Sequence, residues 1–311
     1  MMTMILSGLF ILLYSSGFVA TQYGIPYSDP FSFLSYRFLI AAAILAIICQ
    51  VIRAPWPATT KEVVHQMIAG LLVIGVFSIG VFVSLDQGIS AGVSSLIISL
   101  QPLVASGFAF LLLKERIHPH QWAGLLLGVS GVTVIVLEQI TLSDLEGILM
   151  SFIALLGLAL GSLYQKRFCQ QMNIFTGGVI QSGTAALLCT LIMLADDSRY
   201  VHWNGEFIAA LFWMAVVVSI GALSILYLLI RTLPISEVSS LFYLMPVSAV
   251  LLSALVFDQA ISVFEGVGIM ITALAVFLVN RASFKASEPD SASGKHPVND
   301  STKMSDDHQT V

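Results

Sequence analysis

Long apolar runs, broken by short polar segments, make up most of the chain. One of them, from Val93 to Leu113, holds 21 residues without a single Asp, Glu, Lys or Arg. At about 1.5 Å rise per residue, a helix of that length crosses the roughly 30 Å hydrocarbon core of a bilayer. The runs do not alternate between apolar and polar positions as the strands of a membrane β-barrel would. The pattern therefore predicts transmembrane helices.

Ten such runs are predicted to cross the membrane, which makes the protein an all-α integral membrane protein. They cover residues 3–21, 32–52, 66–85, 92–113, 121–137, 146–164, 174–194, 207–230, 236–257 and 263–280. Composition agrees, because 57% of the residues are hydrophobic and 10% are charged, whereas about a quarter of a soluble domain is charged. Residues 283–311 are rich in Ser, Asp and Lys without periodicity, and this tail is predicted to be disordered.

Charge distribution predicts the orientation of the chain and limits its partners. If the N-terminus is cytoplasmic, 11 of the 13 Lys and Arg residues face the cytoplasm, Arg199 faces outward and Arg37 falls within a span. Lys and Arg accumulate on the cytoplasmic side of membrane proteins, so both termini of this multi-pass protein are predicted to be cytoplasmic. No basic patch indicates a nucleic acid, and the expected partner is the lipid bilayer.

The second half of the chain echoes the first. The sequence Val-Ser-Ser-Leu begins at Val93 and again at Val238, and each copy is followed by a proline, Pro102 or Pro246. A nearly constant offset of about 144 residues relates the two halves, which indicates a duplication of 1–140 in 141–282. Because five spans are an odd number, the halves are predicted to enter the membrane in opposite directions, as in many secondary transporters.

These features resemble the EamA-type members of the drug/metabolite transporter superfamily. The resemblance covers about residues 3–281 and is carried by the duplication, by "SYRFLIAAAI", and by Pro102 followed by an apolar run and "KERIHPHQWAGLLLGVSGV". It implies a secondary transporter of a bacterial inner membrane that exports small metabolites, such as amino acids, by alternating access. It does not identify a substrate. The second half departs from the family pattern, because Gln259 follows Asp258 where an acid usually aligns with Glu115.

An integral-membrane enzyme and a channel or scaffold are the alternatives to a transporter. An integral-membrane enzyme would place a nucleophile and a base, or a metal cluster, at one membrane face. The chain has no His-Glu-x-x-His, Gly-x-Ser-x-Gly or phosphate-binding glycine loop, so we expect no enzyme, no cofactor and no metal site. A channel or scaffold stays open as an alternative, because duplication does not separate it from a carrier.

Two prolines and the serines before them are the first candidate residues for transport. A proline within a helix frees the carbonyl four residues earlier, so Pro102 and Pro246 are predicted to kink the fourth and ninth spans around a central site, or only to shape their packing. Two pairs of hydroxyls stand about two turns before the prolines. They either contact substrate or bond to backbone at helix interfaces, and they are Ser94, Ser95, Ser239 and Ser240.

Arg37 is the basic residue that lies well inside a predicted span. An intramembrane charge is costly and is a functional candidate by default. It could attract a substrate carboxylate, which favours a small carboxylate-bearing metabolite. The alternative is that Arg37 reaches the external surface or pairs with Asp29 or Asp86.

Acidic and aromatic residues complete the candidates. Sorting all 18 Asp and Glu residues leaves none deep in a span, so no buried proton relay is evident. Glu115 and Asp258, at opposite ends, either latch alternate gates or are solvated helix-end charges. By resemblance, five aromatic residues are expected in cavity-facing spans, unless they only pack helices: Tyr14, Phe82, Tyr164, Tyr227 and Tyr243. Gly124 and Gly128 permit close helix contact, either within the chain or in a homodimer.

Overall fold

The computed structural model describes residues 2–113, 127, 145–195, 199–233, 238, 241–242, 244–257, 263, 266–267, 270–271 and 274. This part of the chain is helical, and six of its helices are long and apolar enough to cross a membrane. They are α1 (Met2–Gly24), α2 (Pro30–Ile52), α3 (Thr60–Asp86), α6 (Leu145–Phe168), α7 (Ile174–Ala195) and α8 (Gly205–Thr232). Each matches a predicted span, whereas the predicted fifth span, most of the tenth and the tail lie outside the described residues.

Side-chain caps explain where the long helices begin. The Asp29 carboxylate accepts the backbone N–H of Ser32 at 2.9 Å, and Pro30 occupies the first turn of α2, where a proline costs no hydrogen bond. Asn204 caps α8 in the same way. Thr59 caps the backbone of Glu62, so α3 starts at Thr60 and the predicted start at residue 66 is wrong. The polar first turns of α3 concealed its beginning.

The predicted fourth span is not one continuous helix. It consists of α4 (Ala91–Ile98) and α5 (Gln101–Leu113), which are separated by a turn at residues 99–100. Pro102 is the second residue of α5, where its missing N–H is tolerated, so it follows a break and does not bend an intact helix. Pro246 has the same place in α9 (Met245–Phe257).

The described helices meet at two ends of the bundle, which we name the Asp29 end and the His65 end. At the Asp29 end, Ser28 forms an antiparallel bridge with Val201 just before α8. Burial and the nearby carboxylates of Asp86 and Asp29 raise the pKa of Tyr200 there. At the His65 end, the Thr176 hydroxyl at the start of α7 donates to the carbonyl of Pro55 beyond α2. Consequently α2 and α7 run in opposite directions, as do α3 and α8.

Helix α3 combines a widened segment with close helix contacts. Residues Leu71–Val76 form a π-helical stretch, and α8 has one at Trp213–Ala222. A Cβ added to Gly80 would lie 2.5 Å from the carbonyl oxygen of Met150 in α6. The backbone of α3 therefore approaches that of α6 closely enough to require glycine.

Candidate functional site

A small cavity lies in the middle of the bundle between α1, α2, α3 and α8. Its volume is about 30 Å³, enough for one or two water molecules. Both π-helical segments contribute to its wall, and such segments are frequent at functional sites. Four of the lining residues have polar side chains, namely Tyr14, Thr21, Arg37 and Ser78. The others are glycine or apolar: Gly17, Phe18, Val73, Ile74, Phe77, Val81, Phe82, Met214, Val218 and Leu223.

Arg37 is the charged residue of this cavity. It is 5% exposed, and its Nε donates a hydrogen bond to the Ser219 hydroxyl oxygen at 2.9 Å. Ser219 donates in turn to the carbonyl of Met214, also at 2.9 Å, so its hydroxyl is oriented to accept from the arginine. The guanidinium carbon lies 4.8 Å from the ring centre of Phe38 and 6.0 Å from that of Phe82, within the range of cation–π attraction.

The guanidinium has no carboxylate partner in the described part of the chain. Asp29 caps α2 through one carboxylate oxygen and accepts the backbone N–H of Tyr200 through the other. Asp86 is exposed at the end of α3. The predicted alternative, in which Arg37 pairs with Asp29 or Asp86, is therefore not the arrangement that forms.

Two hydroxyls of the cavity wall keep their hydrogen-bonding capacity. Tyr14 and Ser78 are buried, and their hydroxyls form no hydrogen bond with other described residues. Thr21 differs, because its hydroxyl donates to the carbonyl of Gly17 at 2.7 Å. The uncommitted donors that face the cavity therefore belong to Arg37, Tyr14 and Ser78.

Aromatic side chains cluster on the Asp29 side of the cavity. The buried ring of Phe33 lies 5.0 Å from the ring centre of Phe82 and 5.4 Å from that of Phe207. Trp203 packs edge-on against Phe207 at 5.2 Å. We name these four residues the aromatic cap. It joins α2 and α3 to the start of α8.

A network of amides joins four helices toward the His65 end. The side-chain nitrogen of Gln181 donates to the amide oxygens of Gln66 and Gln165, and Tyr227 donates its hydroxyl to the Gln181 oxygen. All four residues are buried, and we name them the glutamine network. It joins α3, α6, α7 and α8. Tyr227 is therefore placed in this network and does not line the cavity.

Tyr164 also lies at the His65 end and not at the cavity. Its hydroxyl is 2.7 Å from Nδ1 of His65, and its ring packs against Phe168. The ring of His65 stacks on Phe168 with centres 4.7 Å apart. These contacts join α3 to α6, and Tyr164 is not among the residues that line the cavity.

The two candidate serines of the fourth span form hydrogen bonds with neighbouring helices and with the backbone. Ser94 accepts from Ser151 at 3.1 Å, and Ser151 is 2.7 Å from Ser84, so three buried hydroxyls connect α4, α6 and α3. The hydroxyl of Ser95 donates to the carbonyl of Gly92. Neither Ser94 nor Ser95 lines the cavity.

Of the other predicted site residues, five lie outside the described residues: Glu115, Ser239, Ser240, Tyr243 and Asp258. The cavity thus brings together Tyr14, Arg37 and Phe82. Sequence reasoning missed Ser78 and Ser219. A signal was available, because the tripeptide Ser-Ile-Gly begins at Ser78 in the third span and again at Ser219 in the eighth.

Comparison with known proteins assigns the chain to a family. The model of the EamA-like transporter family matches it twice, over residues 1–137 and 145–281. The chain belongs to the EamA-like transporter family. It is therefore a multi-pass membrane transporter of the drug/metabolite transporter superfamily and not an enzyme, as the sequence resemblance predicted.

Several bacterial transporters are similar over most of their length. The uncharacterized inner membrane transporter YedA of Escherichia coli strain K12 is 24% identical over 274 residues, which cover 88% of this chain and 89% of YedA. The uncharacterized transporter YvbV of Bacillus subtilis strain 168 is 23% identical over 291 residues, covering 90% of this chain and 92% of YvbV. A solved crystal structure shares the fold with a TM-score of 0.66 at 18% identity, covering 90% of this chain and 97% of that one.

Proposed function

We propose that this EamA-family member is a secondary transporter that exports a small carboxylate-bearing metabolite by alternating access. The observation that carries the proposal is Arg37, a buried charge in the wall of a central cavity without a carboxylate partner among the described residues. A charge buried at membrane depth is expensive and is retained where it serves a function. A carboxylate would supply the opposite charge and accept from the guanidinium in a bidentate arrangement.

Two different closures support an alternating mechanism. In this proposal the aromatic cap, held by ring contacts, closes the path toward the Asp29 end, and the glutamine network, held by hydrogen bonds, closes the path toward the His65 end. The cavity of about 30 Å³ holds one or two waters and is too small for a metabolite. In the proposed cycle one closure opens for loading and the other opens for release.

The directions of corresponding helices support inverted halves. Helices α1, α2 and α3 run opposite to α6, α7 and α8, respectively, which stand in the corresponding places of the second half. For the first pair, α1 ends at the Asp29 end, where Gly24 lies beside Phe33, and α6 begins there, where Gly147 lies beside Gln87. This is the relation expected of five-helix repeats at 1–140 and 141–282, with a tail at 283–311. In that arrangement the substrate site lies between the halves near the membrane midplane, where Arg37 of the first half meets Ser219 of the second.

The orientation rests on the distribution of charge. With both termini cytoplasmic, the Asp29 end is external and the His65 end, which carries Arg53, Lys61 and Arg231, is cytoplasmic. Placement in a bacterial inner membrane is supported by similarity to an inner membrane transporter. Outward transport is the direction that the family resemblance favours.

An untargeted comparison of secreted metabolites tests the proposal. Cells that lack the protein are compared with cells that express the wild type or Arg37→Gln. We expect at least one carboxylate to accumulate in the medium of the wild-type cells and to fall more than tenfold with Arg37→Gln, because hydrogen bonds to charged groups contribute about 1.5–3 kcal/mol each. Both proteins must be present in the membrane in equal amounts.

Counterflow in proteoliposomes then separates a carrier from a channel. A carrier accelerates the entry of labelled carboxylate when unlabelled carboxylate is present inside, whereas a channel does not. Equal secretion by wild type and Arg37→Gln would contradict the assigned role of Arg37. No change of any compound between cells with and without the protein would contradict export.

A further inference from the structure

From the charges and hydrogen-bonding groups of the Arg37 cavity we infer that the transported metabolite is a monoanion: a carboxylate on an apolar body, without a free ammonium group. This inference rests on the proposed function and narrows its substrate class. It separates carboxylic acids from amino acids, which carry the same carboxylate together with a positive charge.

The first step is the balance of charge. Arg37 supplies one positive charge, and no Asp or Glu is among the residues that line the cavity in the described part of the chain. The sequence also leaves no Asp or Glu deep in any of the ten predicted spans. A bound monoanion therefore makes a neutral complex with Arg37, whereas a zwitterion leaves one net positive charge away from water, which is unfavourable.

The second step concerns donors and acceptors. The uncommitted polar groups are the outer guanidinium nitrogens of Arg37 and the hydroxyls of Tyr14 and Ser78, which can all donate to a carboxylate. An ammonium group is a donor only; the hydroxyls of Tyr14 and Ser78 could accept from it, but no carboxylate lines the cavity in the described part of the chain to balance its charge. The Ser219 hydroxyl already accepts from Arg37 and donates to Met214, and Thr21 donates within α1.

The third step concerns the aromatic faces, which are another way to hold a cation. Arg37 itself lies over Phe38 and near Phe82, so a substrate ammonium there would be repelled by a like charge. The rest of the wall suits an uncharged body, since Phe18, Ile74 and Val81 present hydrocarbon surface. A ligand whose carboxylate binds Arg37 and whose aromatic or branched aliphatic chain contacts the apolar wall would match both parts of the cavity.

Matched ligand pairs test this inference on the full-length wild-type protein. The probes are 3-phenylpropionate with phenylalanine and 4-methylpentanoate with leucine, where each pair differs by the amino group, and 2-phenylethylamine, which lacks the carboxylate. Binding is measured by thermal stabilisation in detergent and transport by counterflow in proteoliposomes. We expect at least one deaminated acid to bind at least tenfold more tightly than its amino acid and to be transported, and the amine to do neither.

The outcomes separate this inference from the proposed function. If phenylalanine or leucine binds and is transported as well as its deaminated partner, the monoanion inference is overturned while a carboxylate transporter stands. If none of the four carboxylates binds or is transported, the carboxylate-bearing substrate of the proposed function fails with it. In Arg37→Gln the preference within each pair is expected to fall toward one. A preference that persists unchanged in a folded variant would show that Arg37 does not set it.

Discussion

At the scale of single residues, the cavity is organised by how Arg37 is held. An arginine cannot lose its charge in a protein, so its burial must be offset by contacts with neighbouring side chains. Nε has Ser219, and the planar face has Phe38 and Phe82. Arg37 lines the cavity, and its outer nitrogens form no hydrogen bond with other described residues, so they are available to substrate oxygens. The contacts with Ser219, Phe38 and Phe82 that offset the burial of Arg37 thus also fix the orientation of its guanidinium group.

Ser219→Ala tests this orientation. The variant removes the acceptor of Nε and the link to Met214, so the guanidinium is no longer fixed. We expect carboxylate affinity to fall about tenfold, because a hydrogen bond to a charged group contributes about 1.5–3 kcal/mol. The measurement is the dissociation constant of the bound carboxylate in detergent. Tight binding by a folded Ser219→Ala protein would contradict the positioning role.

Ser35→Ala is the matched control for that experiment. Ser35 lies in α2, two residues before Arg37, and its buried hydroxyl has no hydrogen-bond partner among the described residues. Removing an unsatisfied buried hydroxyl is nearly neutral or stabilising. The control therefore carries the same substitution in the same helix as Arg37 and is expected to bind normally.

Three residues of this cavity, Arg37, Tyr14 and Phe82, could be predicted from the sequence. Arg37 stands out because a charge in an apolar run has a visible cost, and Tyr14 and Phe82 are large side chains in spans where a cavity is expected. Ser219 is one hydroxyl among many, and its meaning depends on a partner 182 residues away. The glutamine network is hidden for the same reason, since its members are scattered over three helices before Tyr227 joins them.

At the scale of helices, the two halves share the same irregularities. A π-helical segment widens α3 and another widens α8, and both line the cavity. A proline is the second residue of both α5 and α9. Since π segments and broken helices leave the backbone less tightly bonded, these are the places where the bundle can rearrange with least loss.

Gly80→Ala tests the close contact between α3 and α6. The added methyl group would meet the carbonyl oxygen of Met150 at 2.5 Å and the backbone nitrogen of Ala154 at 2.8 Å, and neither backbone atom can rotate away. Overpacking of this kind typically costs about 1–3 kcal/mol. We expect a lower melting temperature in detergent, measured by a thermal unfolding assay.

Gly183→Ala provides the comparison. Gly183 lies within α7, and nothing lies within 4 Å of an added Cβ. Alanine is favoured over glycine in a helix by about 0.8–1 kcal/mol, so this variant is expected to be as stable as the wild type or more so. Equal melting temperatures for Gly80→Ala and the wild type would show that α6 yields to the methyl group.

The helices themselves were largely predictable from the sequence, because lipid requires long apolar runs and these are visible without a structure. The errors lie where polarity and hydrogen bonding compete with that rule. Lys61, Glu62 and His65 made the first turns of α3 look like a loop, although the cap at Thr59 starts the helix there. Pro102 was expected to kink one continuous span, but the helix is interrupted by a turn at residues 99–100, just before the proline.

At the scale of the whole molecule, the two closures differ in their chemistry. The aromatic cap is held by packing, whereas the glutamine network is held by buried hydrogen bonds. Both contain residues from each proposed half, so opening either one separates the halves at that end. The backbone bridge between Ser28 and Val201 also crosses the halves, at the Asp29 end.

A disulfide at that bridge tests alternating access. Ser28 and Val201 form an antiparallel pair flanked by hydrogen bonds from the Asp29 N–H to the Tyr200 carbonyl and from the His202 N–H to the Tyr27 carbonyl. Cα atoms of such a pair are about 4.5 Å apart, within the range of about 4.4–6.8 Å that a disulfide spans. The double variant Ser28→Cys/Val201→Cys is made with Cys49, Cys169 and Cys189 replaced by alanine.

We expect the oxidised protein to lose counterflow and the reduced protein to retain it, because the disulfide holds the Asp29 end closed while the other end can still open. The measurement is carboxylate counterflow in proteoliposomes before and after a reductant, and each single-cysteine variant serves as the control for the reductant itself. The locked protein should still bind carboxylate, since the bridge lies outside the cavity. Unchanged counterflow in fully oxidised protein would mean that the halves do not separate at the Asp29 end during transport.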